Sequence, residues 1–449
     1  MQMERIAIIG GGLVGALQAL YLARRGFEVD VYERRPDARI REARAGKSIN
    51  LALSTRGLNA LKELGLEERA LSISIPMEGR MMHSVAGELT FQPYGRPGQC
   101  IYSISRWGLN RELLLETEKY PNIRLFFNER CDNIDLFTNQ LTFTNTDKGE
   151  RKQVSYDRIF GADGAYSILR QQLMKSDRFN FSQDYLEHGY KELEIPAGKD
   201  GKHQLDKNAL HIWPRGKFML IALANIDGSF TCTLFMPFEG DVSFNSLGNS
   251  NQVMNFFKTT FPDVIPLMPD LASTFFENPT SSLVTIKSFP WNYKDKVMLI
   301  GDAAHAIVPF YAQGMNSGFE DCFIMDQMLD KFGSDWKRLF REFTITRKSN
   351  TDAMAELAVY NYEEMRANTA NPKFLLRKKI ERHFSDKHPE LWVPLYTQVT
   401  FTNRPYEMAL VDSQKQDRIM EEIMQLPDIE TQWDSEQVEK RIIELLMSY

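Results

Sequence analysis

Short β-branched runs alternate with helical stretches along the first third of the chain, and the texture changes twice after that. Arg5-Ile6-Ala7-Ile8-Ile9 reads as a buried strand, Leu13 to Arg25 has helical composition, and Glu28 to Tyr32 returns to strand. Leu58 to Arg69 reads as a helix, and Arg80 to Phe91 alternates like a strand pair turning at Ala86-Gly87. Trp107 to Tyr120 is a helix that begins after Ser105-Arg106 and stops at Pro121. Ile123 to Phe127 and Gln140 to Phe143 are strands, and Lys148-Gly149 is a hairpin turn before Lys152 to Tyr156.

From Tyr185 to Ile286 strand-like runs dominate: Gly189 to Ile195, Ala209 to Trp213, Phe218 to Ala224 and Ser229 to Pro237. Polar loops such as Gly198 to Asn208 and Gly240 to Gln252 separate them. This predicts an antiparallel sheet inserted into an α/β nucleotide-binding fold. A parallel-type strand returns at Lys296 to Ile300. Beyond about residue 317 the chain reads as helical, broken at Pro372, Pro389 and Pro394. Val438, Ile442, Leu445 and Leu446 make an apolar stripe; the acids Glu436, Glu439 and Glu444 argue for core packing over an anionic membrane surface.

Composition narrows the class. At 449 residues the chain exceeds one simple core, and 43% hydrophobic with 25% charged residues is ordinary for a soluble globular protein. The net charge of −6 argues against a general nucleic-acid binder, while leaving room for a local basic pocket. No signal peptide precedes the first strand, and no run approaches the roughly 20 apolar residues of a membrane span. The four cysteines are widely scattered without a CxxC, which points to reduced thiols and a cytoplasmic setting. The seven histidines show no metal spacing, so no metal is expected, and His383 and His388 read as surface residues.

The chemistry begins at Gly10-Gly11-Gly12-Leu13-Val14-Gly15, which lies between the first strand and the first helix, with Glu33 eighteen residues after Gly15. This is the βαβ arrangement that binds a dinucleotide. Gly10 makes the tight turn, Gly12 lets the backbone approach a pyrophosphate, and Gly15 lets helix pack on strand. Glu33 is placed to accept hydrogen bonds from a ribose, which favours NAD or FAD over NADP. Two more strand ends carry small residues and an aspartate: Gly161-Ala162-Asp163-Gly164 and Gly301-Asp302-Ala303-Ala304-His305. Downstream comes Pro309-Phe310-Tyr311-Ala312-Gln313-Gly314-Met315-Asn316.

A glycine-rich start, a central DG and a late GD resemble the single-component FAD-dependent aromatic hydroxylases. The resemblance implies a Rossmann-like FAD-binding domain (residues 1–75, 100–184 and 290–330). It also implies a β-sheet substrate domain (76–99 and 185–289) and a helical region (331–449) that contributes to the substrate site. It assigns Asp302 to the FAD ribityl chain, Asp163 and Gly164 to cofactor contact and NAD(P)H handling, and Arg106 to FAD. Gln313, Gly314, Met315 and Asn316 would lie along the isoalloxazine. Leu13, Val14, Tyr32, Arg34, Arg35, Ala52 and Cys131 complete the implied FAD contacts.

Longer strings narrow the likeness to those members that act on L-kynurenine. They include Lys47-Ser48-Ile49-Asn50-Leu51-Ala52-Leu53-Ser54, Met81-Met82-His83-Ser84, Leu210-His211-Ile212-Trp213-Pro214-Arg215 and Asn361-Tyr362-Glu363-Glu364-Met365-Arg366. The implied substrate anchors are Arg80, Tyr94, Asn361 and Tyr396, with Ile221, Leu223, Phe235, Pro309 and Phe310 lining a slot for the ring. The implied reaction is NADPH-dependent reduction of FAD, capture of O2 as a flavin C4a-hydroperoxide, and hydroxylation to 3-hydroxykynurenine. No protein nucleophile is required. Three positions depart from the family pattern: Thr55 where histidine is usual, Tyr311 for phenylalanine and Ala312 for glycine. The alternatives are a related hydroxylase of another aromatic acid and a non-catalytic protein that keeps the FAD fold. A homodimer is the working expectation, and residues 406–449 carry no recognisable motif.

Overall fold

The structure, a computed structural model, describes residues 4–40, 50–96, 98–364 and 372–448. Lys47, Ser48 and Ile49 of one string and Met365 and Arg366 of another lie outside the described residues.

Arg5–Ile9 is the central strand of a six-stranded sheet because both of its faces are covered: Ile6, Ala7 and Ile8 are fully buried. It pairs in parallel with Glu28–Tyr32 on one side and Arg158–Gly161 on the other. Ile123–Phe126 and Val297–Leu299 extend the parallel sheet, and Asn292–Tyr293 closes one edge antiparallel. The three sequence segments expected to bind a nucleotide therefore leave neighbouring strand ends. The helix Leu13–Arg24 packs between this sheet and the helices Arg106–Thr117 and Gly314–Phe332.

A second sheet has seven strands, ordered Ser281–Phe289, Asn180–Ile195, Phe230–Pro237, Phe218–Ala224, Ala209–Arg215, Gly79–His83 and Leu89–Pro93. It is antiparallel except where Gly79–His83 runs parallel to Ala209–Arg215, two segments far apart in sequence. One face packs on the helices Ser250–Thr260 and Leu271–Glu277 through Val253, Phe256, Phe257 and Phe275. The other face meets the C-terminal helices.

Several elements differ from the sequence reading. The helix expected over 58–69 is two helices, Thr55–Lys62 and Glu67–Ser72, separated where Gly65 adopts φ +71°. Glu129–Asp135 is an unanticipated strand whose alternating polar positions face solvent. His383 and His388 are half-buried, not surface residues. His388 Nε2 lies 2.8 Å from Glu439 Oε1, and His383 packs 5.3 Å from the Trp433 ring. Both join Pro372–Lys387 to the last stretch of chain, where Val438, Ile442 and Leu445 enter a separate core. No described helix is long and apolar enough to cross a membrane.

Candidate active site

The glycine loop has the geometry its spacing requires. Gly10 sits at φ +105°, and a Cβ there would come within 2.3 Å of the Ala162 carbonyl oxygen. A Cβ on Gly15 would lie 1.9 Å from the Gly10 carbonyl oxygen, so helix and turn can approach only without side chains. At Gly12 an added Cβ would meet nothing within 4 Å. Gly12 begins the helix Leu13–Arg24 with no side-chain cap, leaving its first N–H groups toward open space. Glu33 stands beside the loop: its carboxylate accepts from Gly11 N at 3.0 Å and from Arg35 N at 2.9 Å.

The other expected contacts fall into three groups. Gly12, Leu13, Val14, Ala52, Arg106, Gly164, Asp302, Gly314 and Met315 all line one cavity of about 260 Å³. The side chains of Tyr32, Cys131, Asp163, Gln313 and Asn316 are instead engaged with protein. Tyr32 stacks 4.0 Å from the Phe143 ring and its hydroxyl lies 2.6 Å from that of Tyr156. Cys131 is buried on Glu129–Asp135, and burial together with Asp163 pushes its thiol up to about 12. Arg34 and Arg35 are exposed beyond Glu33.

Asp163 holds its own turn. One carboxylate oxygen accepts from Ile168 N at 2.8 Å and the other has no hydrogen-bond partner among the described residues. Burial raises its pKa against those bonds. Asn316 stitches its loop to Leu51–Leu53, donating to Ala52 O at 2.9 Å and accepting from Ser54 N at 2.9 Å. The Gln313 side-chain oxygen accepts from the Tyr406 hydroxyl at 3.0 Å. Just before them in the chain Ala312 adopts φ +54°, a conformation suited to glycine.

A buried charge network behind this loop escapes the sequence reading. Asp321 accepts from Gly301 N at 3.0 Å, lies 2.6 Å from His305 Nε2 and accepts from Arg347 Nε at 2.8 Å. Arg347 also reaches Glu320 at 2.6 Å, and the second Glu320 oxygen meets Arg56. Burial would raise the Asp321 pKa, but His305 and Arg347 outweigh it and hold the carboxyl below its usual range. The signal available in sequence is slight: two adjacent acids, Glu320 and Asp321, between the apolar Phe319 and Cys322 of the helix Gly314–Phe332.

At the far end of the cavity, Arg80 enters from Gly79–His83, Tyr94 from the loop after Leu89–Pro93 and Tyr396 from the helix Leu395–Phe401. The guanidinium carbon lies 4.8 Å from the Tyr396 ring centroid and 5.7 Å from that of Tyr94. The two phenol rings stack at 5.0 Å with 9° between planes, and Tyr311 continues the stack 5.8 Å from Tyr396. Arg80 Nε and the Tyr94 hydroxyl are buried and find no hydrogen-bond partner among the described residues. Burial alone would lower the Arg80 pKa, yet the surrounding phenols and Glu364 raise it, so the cation persists. Ile221, Leu223, Phe235, Pro309 and Phe310 line the apolar space between this cation and Met315. Asn361 sits behind the wall, where its amide donates to Phe310 O at 2.7 Å.

The donor set fits a flavin dinucleotide. An uncapped helix start beside an open Gly12, an acid near that turn, an exposed Asp302 and small residues at Gly314 surround one elongated space. Comparison with known proteins agrees. The FAD binding domain family matches residues 3–190 and 289–336. Kynurenine 3-monooxygenase of Flavobacterium psychrophilum is 53% identical over 99% of both chains. The enzyme of the same name from Dictyostelium discoideum is 47% identical over 90% of this chain and 89% of its own. That from Sus scrofa is 45% identical over 94% of this chain and 88% of its own. Among solved structures, 2-methyl-3-hydroxypyridine-5-carboxylic acid oxygenase shares the fold, with a TM-score of 0.67 at 20% identity over 83% of this chain and 95% of that one. By fold, by the FAD binding domain and by identity along nearly its whole length, this chain belongs to the kynurenine 3-monooxygenase family.

Proposed function

We propose that the protein is an FAD-dependent aromatic monooxygenase that hydroxylates L-kynurenine at the ring position beside its amino group, consuming NADPH and O2. The observation that carries the substrate assignment is the buried, unpartnered Nε of Arg80 beside the unpartnered hydroxyl of Tyr94. A buried cation with free donors at the end of an apolar slot calls for a carboxylate attached to a flat apolar body. L-Kynurenine has that shape.

FAD would be held by Gly12 and the first N–H groups of Leu13–Arg24 at its pyrophosphate, with Glu33 at a ribose and Asp302 at the ribityl chain. The backbone at Gly314 and Met315 would lie along the ring. When bound, FAD supplies the redox chemistry that activates O2 with electrons from NADPH. The chain's own residues bind, orient and exclude water. Arg80 would take the substrate carboxylate through two N–H groups, with the Tyr94 and Tyr396 hydroxyls beside it. Ile221, Leu223, Phe235, Pro309 and Phe310 would fix the ring plane and keep the reacting end dry. Asn361, expected as a direct contact, would act through the Phe310 turn that it holds.

The division into an FAD-binding domain, a sheet domain and a helical region belongs to the same reading. It is supported by the separate cores of the two sheets and of the C-terminal helices. A cytoplasmic setting is supported by four free cysteines. The test is NADPH consumption by the purified holoenzyme with and without L-kynurenine, with the product identified by mass. Gain of one oxygen on kynurenine is the expected result. Turnover of 4-hydroxybenzoate or salicylate in its place would reassign the substrate.

A further inference from the structure

Six of the seven residues from Pro309 to Met315 line the cavity, and Gln313 is the exception. It stands at the start of the helix Gly314–Phe332 without capping it, and its buried side chain turns away from the cavity. There the amide lies between two hydroxyls. Its oxygen is 3.0 Å from that of Tyr406, and its nitrogen is 3.3 Å from Ser54 Oγ. A hydroxyl can donate or accept, so both contacts hold in either orientation of the amide.

Tyr406 is itself clamped. It opens the helix Tyr406–Ile423, in the stretch of chain that carries no recognisable motif, and it is fully buried. The Arg56 guanidinium carbon lies 3.9 Å from the centroid of its ring. Arg56 also bonds Glu320 and the Arg404 carbonyl oxygen, and Asn59 Nδ2 donates to Asn403 Oδ1 at 3.0 Å. The helix Thr55–Lys62 thus fixes the chain at Asn403, Arg404 and Tyr406. Burial raises the Tyr406 pKa, so the phenol keeps its proton.

We infer that Tyr406 is a positioning residue for the flavin: through Gln313 it sets the peptide planes of the turn from Ala312 to Gly314. This rests on the proposed placement of that turn along the flavin ring. The turn needs a hold from outside. Ala312 adopts φ +54°, ψ 31°, which a residue with a Cβ keeps only where its surroundings impose it. Asn316 grips one side, donating to Ala312 O at 2.9 Å. Gln313 grips the other, and Tyr406 ties it to the C-terminal helices.

Without the Tyr406 hydroxyl, one amide atom of Gln313 loses its partner in a buried place, which is costly. The side chain then rotates toward another partner and carries the adjoining peptide groups with it. Ala312 and Gly314 line the cavity, so that rotation changes the dipoles presented to the flavin. The substrate anchors at Arg80 and Tyr94 lie at the far end of the cavity and keep their places.

Tyr406→Phe keeps the ring under Arg56 and removes one oxygen. In the holoenzyme it should shift the flavin midpoint potential and lower kcat several-fold, with KM for L-kynurenine little changed. Amide hydrogen exchange over 312–316 should speed up with or without bound FAD. Gln313→Met should shift the potential in the same direction. The double variant should match Gln313→Met, because its second change removes a bond already lost. Ile419→Val lies in the same helix but in the separate C-terminal core, and should leave the potential unmoved. The role of Tyr406 is overturned if Tyr406→Phe keeps the parent's potential and exchange, if the double variant sums the single effects, or if Ile419→Val shifts the potential as far. Should Tyr406→Phe lose FAD, exchange in the FAD-free protein decides: acceleration confined to 312–316 supports the role, and loosening spread through 406–448 overturns it. Gly314→Val tests the underlying reading by itself. If it leaves FAD affinity and potential unchanged, the turn does not face the flavin and that reading fails. If it weakens FAD binding while Tyr406→Phe behaves as the parent, only the role of Tyr406 fails.

Discussion

At the scale of single residues, Arg80 is a cation held between phenol rings with donor capacity left over. Replacing it with alanine removes the charge partner of a buried carboxylate, a loss of roughly 2–5 kcal/mol in binding. Arg80→Ala should therefore raise KM for L-kynurenine by at least 30-fold (roughly 2 kcal/mol), while FAD content stays stoichiometric by absorbance. Arg80→Lys should recover only part of the loss, because an ammonium cannot meet two oxygens through a planar fork. Ala312 offers a prediction of opposite sign. It occupies φ +54°, ψ 31°, where a Cβ costs about 1–2 kcal/mol. Glycine would relieve that strain but restore freedom to the unfolded chain, so Ala312→Gly should stabilise by about 0.5–1 kcal/mol in denaturant unfolding. No gain would mean that the turn relaxes when glycine is absent.

At the scale of elements, Asp321 joins three of them: the Gly301 turn, the helix Gly314–Phe332 and the helix Trp336–Glu363. Asp321→Ala leaves Arg347 and His305 facing an emptied buried site, which costs about 3–5 kcal/mol when one partner of such a pair is removed. The expected outcome is a lower melting temperature and weaker FAD retention on dialysis, since Gly301 loses the acceptor that orients the turn before Asp302. The last helix gives a pH prediction. Hydrogen bonds from Lys387 and His388 lower the Glu439 pKa to about 2. The unfolded carboxyl titrates near ~4.3, so this contribution is complete above that value and is lost as pH falls toward 2. Hydrogen exchange over 436–448 should accelerate on acidification in that window, and Glu439→Gln should abolish the effect. These elements also mark where sequence reading succeeds and fails. Glycine positions are legible because the backbone conformation they permit is a local property, as at Gly10 and Gly15. Asp321–Arg347 is not legible, because its meaning depends on which distant helices meet. The helix Ser250–Thr260 was hidden by polar positions flanking Val253, Phe256 and Phe257, whose spacing is helical although the surrounding texture is strand-like.

At the scale of the molecule, the cavity lies where the strand-end loops of the six-stranded sheet, one face of the seven-stranded sheet and the helix Leu395–Phe401 meet. Sequence order does not reveal this: Arg80, Phe235, Met315 and Tyr396 come from four distant segments, and only resemblance to a family joined them before the fold did. The side chains of Gln313, Asn316 and Asn361, which the resemblance implies as contacts, bond to neighbouring protein groups, and in a string such backbone-pinning side chains look like ligand-facing ones. The closure of this junction can be tested. Phe235 sits on the sheet side with its ring 5.1 Å from Phe310, and Phe310 stacks 4.0 Å from Tyr362 of the helical layer. Removing the Phe235 ring opens a void, with a loss of stability of about 3–5 kcal/mol if the layers do not collapse. Water then gains access to the reacting end of the slot while Arg80 and the dinucleotide-binding walls stay intact. Phe235→Ala should accordingly consume NADPH in the presence of L-kynurenine yet yield less hydroxylated product per NADPH, the difference appearing as hydrogen peroxide. If product and NADPH stayed in step in this variant, the sheet face would not be what keeps the reaction dry, and the C-terminal layer alone would have to do so.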